Sequence, residues 1–281
     1  MNWHGLFVPY PNSPLTNTNM KTLTTLAGCI LMLASMCMAI ETSAQENNIS
    51  MYTYAYVAPG DMPEFMDRME TYWFKVADAA TSDNLAFFAF MTKMDGYDIP
   101  NNSNVLFITA FKDMEKMDGT FNPAKLFPNL SMEDMTIWNL ATIKHRIYVS
   151  SGYWTEKAGS NADTDFNYIQ MVYHSSDTPA DLMALENEYW LPFIKDAMDK
   201  GMTKQVAWGN ARVIAPTSPD MGITSISYDL YPTMAAALNP GWPDDLVIPE
   251  EGMSKIMEQE KDPRTVYTYK IHHVAQAPEA N

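Results

Sequence analysis

Large apolar residues alternate with small or polar ones in short runs along the chain, and between these runs they recur every three or four residues. MYTYAYVA (51–58) and FNYIQMVYH (166–174) are rich in aromatic and β-branched residues and predict strands. Behind the first, Phe65, Met69, Trp73 and Val76 mark one helix face; behind the second, Leu182, Leu185, Tyr189 and Phe193 do the same. Asp61 with Glu64, and Thr178 with Asp181 next to Pro179, have capping-box spacing at the two helix starts. Each helix is followed by two strand candidates, LAFFAFMT (85–92) with NVLFITAF (104–111), and QVAWGNARVIA (205–215) with GITSISYDL (222–230). The turn-forming loops GYDIPNNS and PTSPDMG join them into antiparallel hairpins. A short helix is expected over 114–119 and over 233–238, then a loop opening on Asn-Pro, then closing strands at 143–150 and 265–274.

The two series superimpose at an offset of 117 residues without a gap: Tyr72-Trp73 falls on Tyr189-Trp190, Met66 on Met183, Ala80 on Ala197, and Asn122-Pro123 on Asn239-Pro240. The chain therefore reads as one unit written twice, 45–156 and 166–281, joined by the polar connector 157–165. Each copy has the order β-α-β-β-α-β, the ferredoxin-like arrangement of one antiparallel sheet with helices on one face. Both phases of the strands carry large residues, so the second face of each sheet needs a cover too. The fold class expected is α+β, two tandem ferredoxin-like units packed sheet to sheet.

On this element order, the repeat and the Tyr-Trp helix, the chain resembles the dimeric α/β-barrel superfamily, the antibiotic-biosynthesis-monooxygenase-like group. The resemblance implies that two such units pack as a dimeric α/β barrel and enclose a cavity, here within one chain. Members include cofactor-free oxygenases, haem enzymes and isomerases, so it implies a fold more than a chemistry.

The first 44 residues break the pattern. Lys21, an apolar run from about Leu26 to Ile40, and Thr42-Ser43-Ala44 have the layout of a signal peptide starting near Met20 and cleaved after Ala44. The run is about 15 residues long, short of the roughly 20 that span a bilayer, so no stable membrane insertion of the mature chain is expected. Leu26-Ala27-Gly28-Cys29 resembles a lipobox but stands too close to Lys21. A periplasmic or extracellular location follows as an expectation. Cys29 and Cys37 are the chain's two cysteines and both lie in this segment, which excludes disulfides and thiolate zinc sites from 45–281. Losing residues 1–44 removes one Lys and one Glu, so the net charge of −16 is unchanged and nucleic acid is an unfavourable partner.

Candidate chemistry is sparse. In the strand 205–215, Ala207, Gly209 and Ala211 share one phase, and Trp208, Asn210 and Arg212 the other. Small residues suit close helix packing, so Trp208, Asn210 and Arg212 are expected to face the cavity, where a ring, an amide and a guanidinium would hold a planar or anionic small molecule. His174, at a strand end, joins them as a candidate ligand-binding residue. Some members of the superfamily use an Asn and a Trp on a phenolic substrate, which is what the resemblance implies for Trp208 and Asn210. His and Glu spacings match no metal motif, and the many methionines follow helix-packing spacing, so neither metal nor cofactor is expected. Pro192, inside the second helix, predicts a kink. Three readings stay open: non-catalytic binding of a small aromatic or apolar ligand in the cavity between the two sheets, a cofactor-free oxygenase acting on a phenolic substrate, and a structural or interaction protein that associates through its edges.

Overall fold

Eight runs of alternating residues form strands, and the computed structural model describes them within residues 49–94, 103–160, 166–216 and 222–278. The expected leader, most of the connector 157–165 and much of both hairpin loops lie outside the described residues. The first half runs β1 (Ile49–Val57), α1 (Met62–Arg68), a five-residue π-turn (Met69–Trp73), α2 (Phe74–Ala80), β2 (Leu85–Lys93) and β3 (Val105–Phe111). A 3-10 turn (Met114–Lys116), α3 (Pro123–Leu126), α4 (Met132–Met135) and β4 (Ala141–Glu156) complete it. The second half runs β5 (Tyr168–His174), α5 (Pro179–Leu185), a second π-turn (Glu186–Trp190), α6 (Leu191–Asp199), β6 (Ala207–Ala215), β7 (Ser225–Tyr231), α7 (Met234–Leu238), α8 (Glu250–Glu258) and β8 (Thr265–Gln276). Asp61 and Thr178 stand at the two N-caps, yet neither side chain caps its helix. The Thr178 hydroxyl donates instead to Gln259 Oε1 at 2.6 Å.

The strands close into one antiparallel barrel in the order β1-β3-β2-β8-β5-β7-β6-β4. Two strands make the closure, and both are longer than their sequence pattern suggests. β4 pairs with β1 from Ala141 to Ser150 and with β6 from Tyr148 to Glu156. β8 pairs with β5 from Thr265 to Lys270 and with β2 from Tyr269 to Gln276. Each is thus inside its own half's sheet at one end and sews that sheet to the other half at its far end, so that every described strand has a neighbour on both sides.

One phase of every strand points into the barrel. Tyr52, Tyr54, Leu106, Ile147, Met171, Tyr173, Ile226 and Tyr269 meet there in a single buried cluster, with Ala207 and Ala211 as its small members. The opposite phase carries the helices: Phe65, Met69, Phe74 and Ala77 pack on Phe88, Phe90 and Phe107 in the first half. Ile194 and Met198 pack on Trp208 in the second. The barrel interior is therefore largely side chains, and space for ligands lies at its end and on its helix-covered outer faces.

Candidate functional site

Trp208, Asn210 and Arg212 do share one phase of β6, as expected, but that phase faces the helices or solvent and not the interior. Trp208 is 1% exposed beneath α6. Arg212 is exposed, opposite Ser225 on β7 and Ser150 on β4. The reason is volume. β1, β5 and β8 already send Tyr52, Tyr54, Tyr173 and Tyr269 inward, so β6 supplies small residues to the interior and large ones to the helix. Gly209 shows the constraint directly, since a Cβ there would stand 2.7 Å from the Tyr228 ring and 2.8 Å from Trp154.

His174 and Asn210 meet on this outer face through a residue the sequence pattern did not single out. Glu186, the first residue of the second π-turn, accepts from Asn210 Nδ2 at 2.7 Å and lies 3.7 Å from His174 Nε2. His174 bonds Glu260 Oε1 through Nδ1 at 2.6 Å and Ser227 Oγ through Nε2 at 2.8 Å, while Asn210 Oδ1 accepts from the Tyr153 N–H at 2.8 Å. Burial pushes the Glu186 carboxyl above its ordinary range, partly offset by His174 and the Asn210 bond. The network ties the π-turn, the C-terminal side of α8 and four strands, β4 to β7, together. A signal for it exists in the sequence: at the offset of 117, Glu186 falls on Met69, a carboxylate where the other half has a core methionine.

The corresponding space in the first half is open. Between the first π-turn and the sheet lies a cavity of about 260 Å³ lined by Met51, Met69, Trp73, Phe88, Phe107, Phe121, Ile137 and Trp138, with Thr53, Thr109 and Arg146 as its polar members. The segment after α3 roofs it. Arg68 donates to the Thr136 carbonyl and to Asn139 Oδ1, and Trp73 Nε1 donates to the Met135 carbonyl at 2.8 Å. Trp138 lies 5.7 Å from the Phe107 ring and is 43% exposed, so with exposed Arg146 it marks the open side.

A second cavity, of about 280 Å³, stands at the barrel end. Tyr54, Tyr173, Tyr267 and Tyr269 line it with Lys93, His145 and Asp262. The Tyr54 hydroxyl donates to Tyr173 at 3.3 Å, and Tyr173 is 3.2 Å from Tyr269 Oη, while burial holds the Tyr54 and Tyr173 phenols well above their ordinary range. Its charged lining suits water better than an apolar ligand. Among the described residues no three His, Cys, Asp or Glu side chains are placed to hold a metal ion, and no helix is long and apolar enough to cross a membrane.

No family model and no curated protein sequence matches the chain. Solved structures do. An anthrone oxidase-like protein superimposes with a TM-score of 0.55 over 84% of this chain and 96% of its own, at 14% identity. A protein described as a candidate monooxygenase from Lactobacillus acidophilus NCFM does so with a TM-score of 0.52 over 83% and 97%, at 13% identity. At such identity the likeness concerns architecture, and it makes this chain an α+β barrel of the kind those two proteins have.

Proposed function

We propose that the protein binds a small planar aromatic molecule in the cavity between its first π-turn and the outer face of the first-half sheet. One observation carries this reading: about 260 Å³ of space walled by five aromatic rings, Trp73, Phe88, Phe107, Phe121 and Trp138, with few polar groups. Binding sites for small molecules are mostly apolar with a small number of placed polar atoms. A dry apolar cavity of about 150 Å³ takes up benzene, so this one has room for a substituted ring or two fused rings. The oxygenase reading of Trp208 and Asn210 fits less well, because Trp208 is sealed under α6 and Asn210, with no exposed surface, is bonded to Glu186 and to the Tyr153 N–H. We infer further, from Lys21, the apolar run and Ala44, that the chain is exported and cleaved after Ala44, and from the offset of 117 that its halves are copies of one unit.

Titration with 2-naphthol, followed by tryptophan emission, tests the binding reading. Quenching that saturates, and that is abolished by Met51→Trp filling the cavity, is expected. Saturable binding that survives Met51→Trp, or none with naphthol, indole or naphthalene, would remove the cavity from consideration.

A further inference from the structure

The cavity's polar members are chemically specific. Thr53 and Thr109 are each 3% exposed, and among the described residues neither hydroxyl makes a side-chain hydrogen bond. Arg146 likewise has no ion pair or hydrogen-bond partner among the described residues. The register brings these groups side by side. Thr53 on β1 is the direct cross-strand partner of Arg146 on β4 and of Phe107 on β3, and Thr109 sits two residues beyond Phe107 on the same face. An aromatic floor thus ends in two hydroxyls and a guanidinium, none of which is satisfied by the described residues.

Among the described residues the buried polar side-chain atoms without a partner are Ser225 Oγ and Glu260 Oε2, both in the second half. Glu64 meets Arg68, the Asn104 amide closes on Val57 from both sides, and Asn84 meets Thr120. Hydroxyls and a guanidinium that line a cavity without a protein partner are open to bond the oxygens of a ligand or water. A guanidinium presents a planar fork that matches a carboxylate bidentately, and hydroxyls donate to the same oxygens. We propose, resting on the aromatic-ligand reading above, that the molecule bound here is an aromatic carboxylate, its ring between Trp73 and Phe107 and its carboxylate held by Arg146 with Thr53 and Thr109. The net charge of −16 opposes the approach of any anion over long range. Selectivity for a carboxylate therefore has to come from contact with these three side chains, not from the overall field.

The test compares 2-naphthoate with its neutral, nearly isosteric amide, 2-naphthamide, by calorimetry on the intact protein in about 0.15 M salt, where fields are screened within about 8 Å. Naphthoate is expected to bind more tightly than naphthamide. Arg146→Gln should weaken naphthoate by about tenfold or more, the scale of a lost charge-assisted hydrogen bond, and leave naphthamide within about twofold. Thr53→Val and Thr109→Val, which keep side-chain volume, should each weaken naphthoate by a smaller factor. Lys144→Gln removes a nearby charge outside the cavity and should leave both ligands unchanged. Equal binding of acid and amide, or equal losses from Arg146→Gln and Lys144→Gln, would overturn the carboxylate assignment while leaving the aromatic cavity standing. Failure of both ligands to bind would overturn the cavity reading itself.

Discussion

Asp229 stands on the outer face of β7, opposite Trp208, and accepts from Gln205 Nε2 at 2.8 Å. Burial pushes its carboxyl up to about 7, Gln205 pulls it back, and the nearby Glu186 carboxyl pushes the same way as burial. An unfolded aspartate titrates near about 3.9. Between about pH 4 and about pH 7 the folded protein therefore keeps a proton that the unfolded chain has lost, and stability falls as pH rises through that window. An asparagine at this position would accept the Gln205 bond without ionising. The melting temperature of Asp229→Asn should exceed that of the wild type at pH 8, with the gap closing below about pH 4. Parallel melting curves across the range would contradict the assignment. At this scale the sequence was only half legible. The two phases of β6 are distinct in the sequence, but which one faces inward depends on tyrosines contributed by β1, β5 and β8, and no local pattern reports the volume that distant strands have already filled.

The π-turns are the elements that distinguish the halves. Both begin at matching positions, Met69 and Glu186, and both end on the Tyr-Trp pair. The first has no proline, so Pro192 is not the common cause, and a shared widening of the helix at the same place fits the tendency of π-turns to mark functional positions. Their surroundings differ. Tyr72 meets Phe127 edge-on at 5.3 Å, and Trp73 lines the aromatic cavity. Tyr189 supports α8, a helix with no counterpart among the expected elements. Its hydroxyl accepts from Lys255 at 2.8 Å, and Gly252 packs so closely that a Cβ there would lie 2.4 Å from Tyr189 Cβ. In an unpacked helix, Gly→Ala would stabilise by roughly 0.5–1 kcal/mol. Here the contact is with atoms next to the backbone, which cannot swing away, and overpacking of about 1–3 kcal/mol reverses the sign. Gly252→Ala should lower the denaturant midpoint, whereas Ser254→Ala on the same helix should not. A midpoint raised by Gly252→Ala would show that α8 is not held against Tyr189. The sequence pattern placed only a loop at each Asn-Pro, where α3 in fact starts in the first half, and α8 was not legible because its run, EEGMSKIME, carries few apolar residues and a glycine in its first turn.

At the scale of the whole molecule, the succession of elements was legible because period-two alternation and the 117-residue offset are both written in the sequence, and the resemblance they carry implied a barrel within one chain, whereas the strand pairing that closes it was not legible. The extra lengths of β4 and β8 make the difference. SSGYWTE at the end of β4 has no apolar alternation of its own, and it becomes strand because β6 lies beside it. This sharing has a thermodynamic consequence. Opening either half would strip partners from the far ends of both β4 and β8, exposing rows of backbone donors and acceptors and one side of the common interior cluster. Chains of this length often unfold in separable steps when they hold two independent cores. Here one cluster draws residues from all eight strands, so a single transition is expected despite the duplicated element order. Far-UV circular dichroism and tryptophan emission should give the same midpoint in guanidinium. The same should hold when Trp73 and Trp138 are replaced by Phe in a chain starting at Gln45, which lacks Trp3, so that emission reports from Trp154, Trp190, Trp208 and Trp242. If the emission midpoint of that variant separates from its circular dichroism, the halves unfold independently, and the two seams are weaker than their pairing implies.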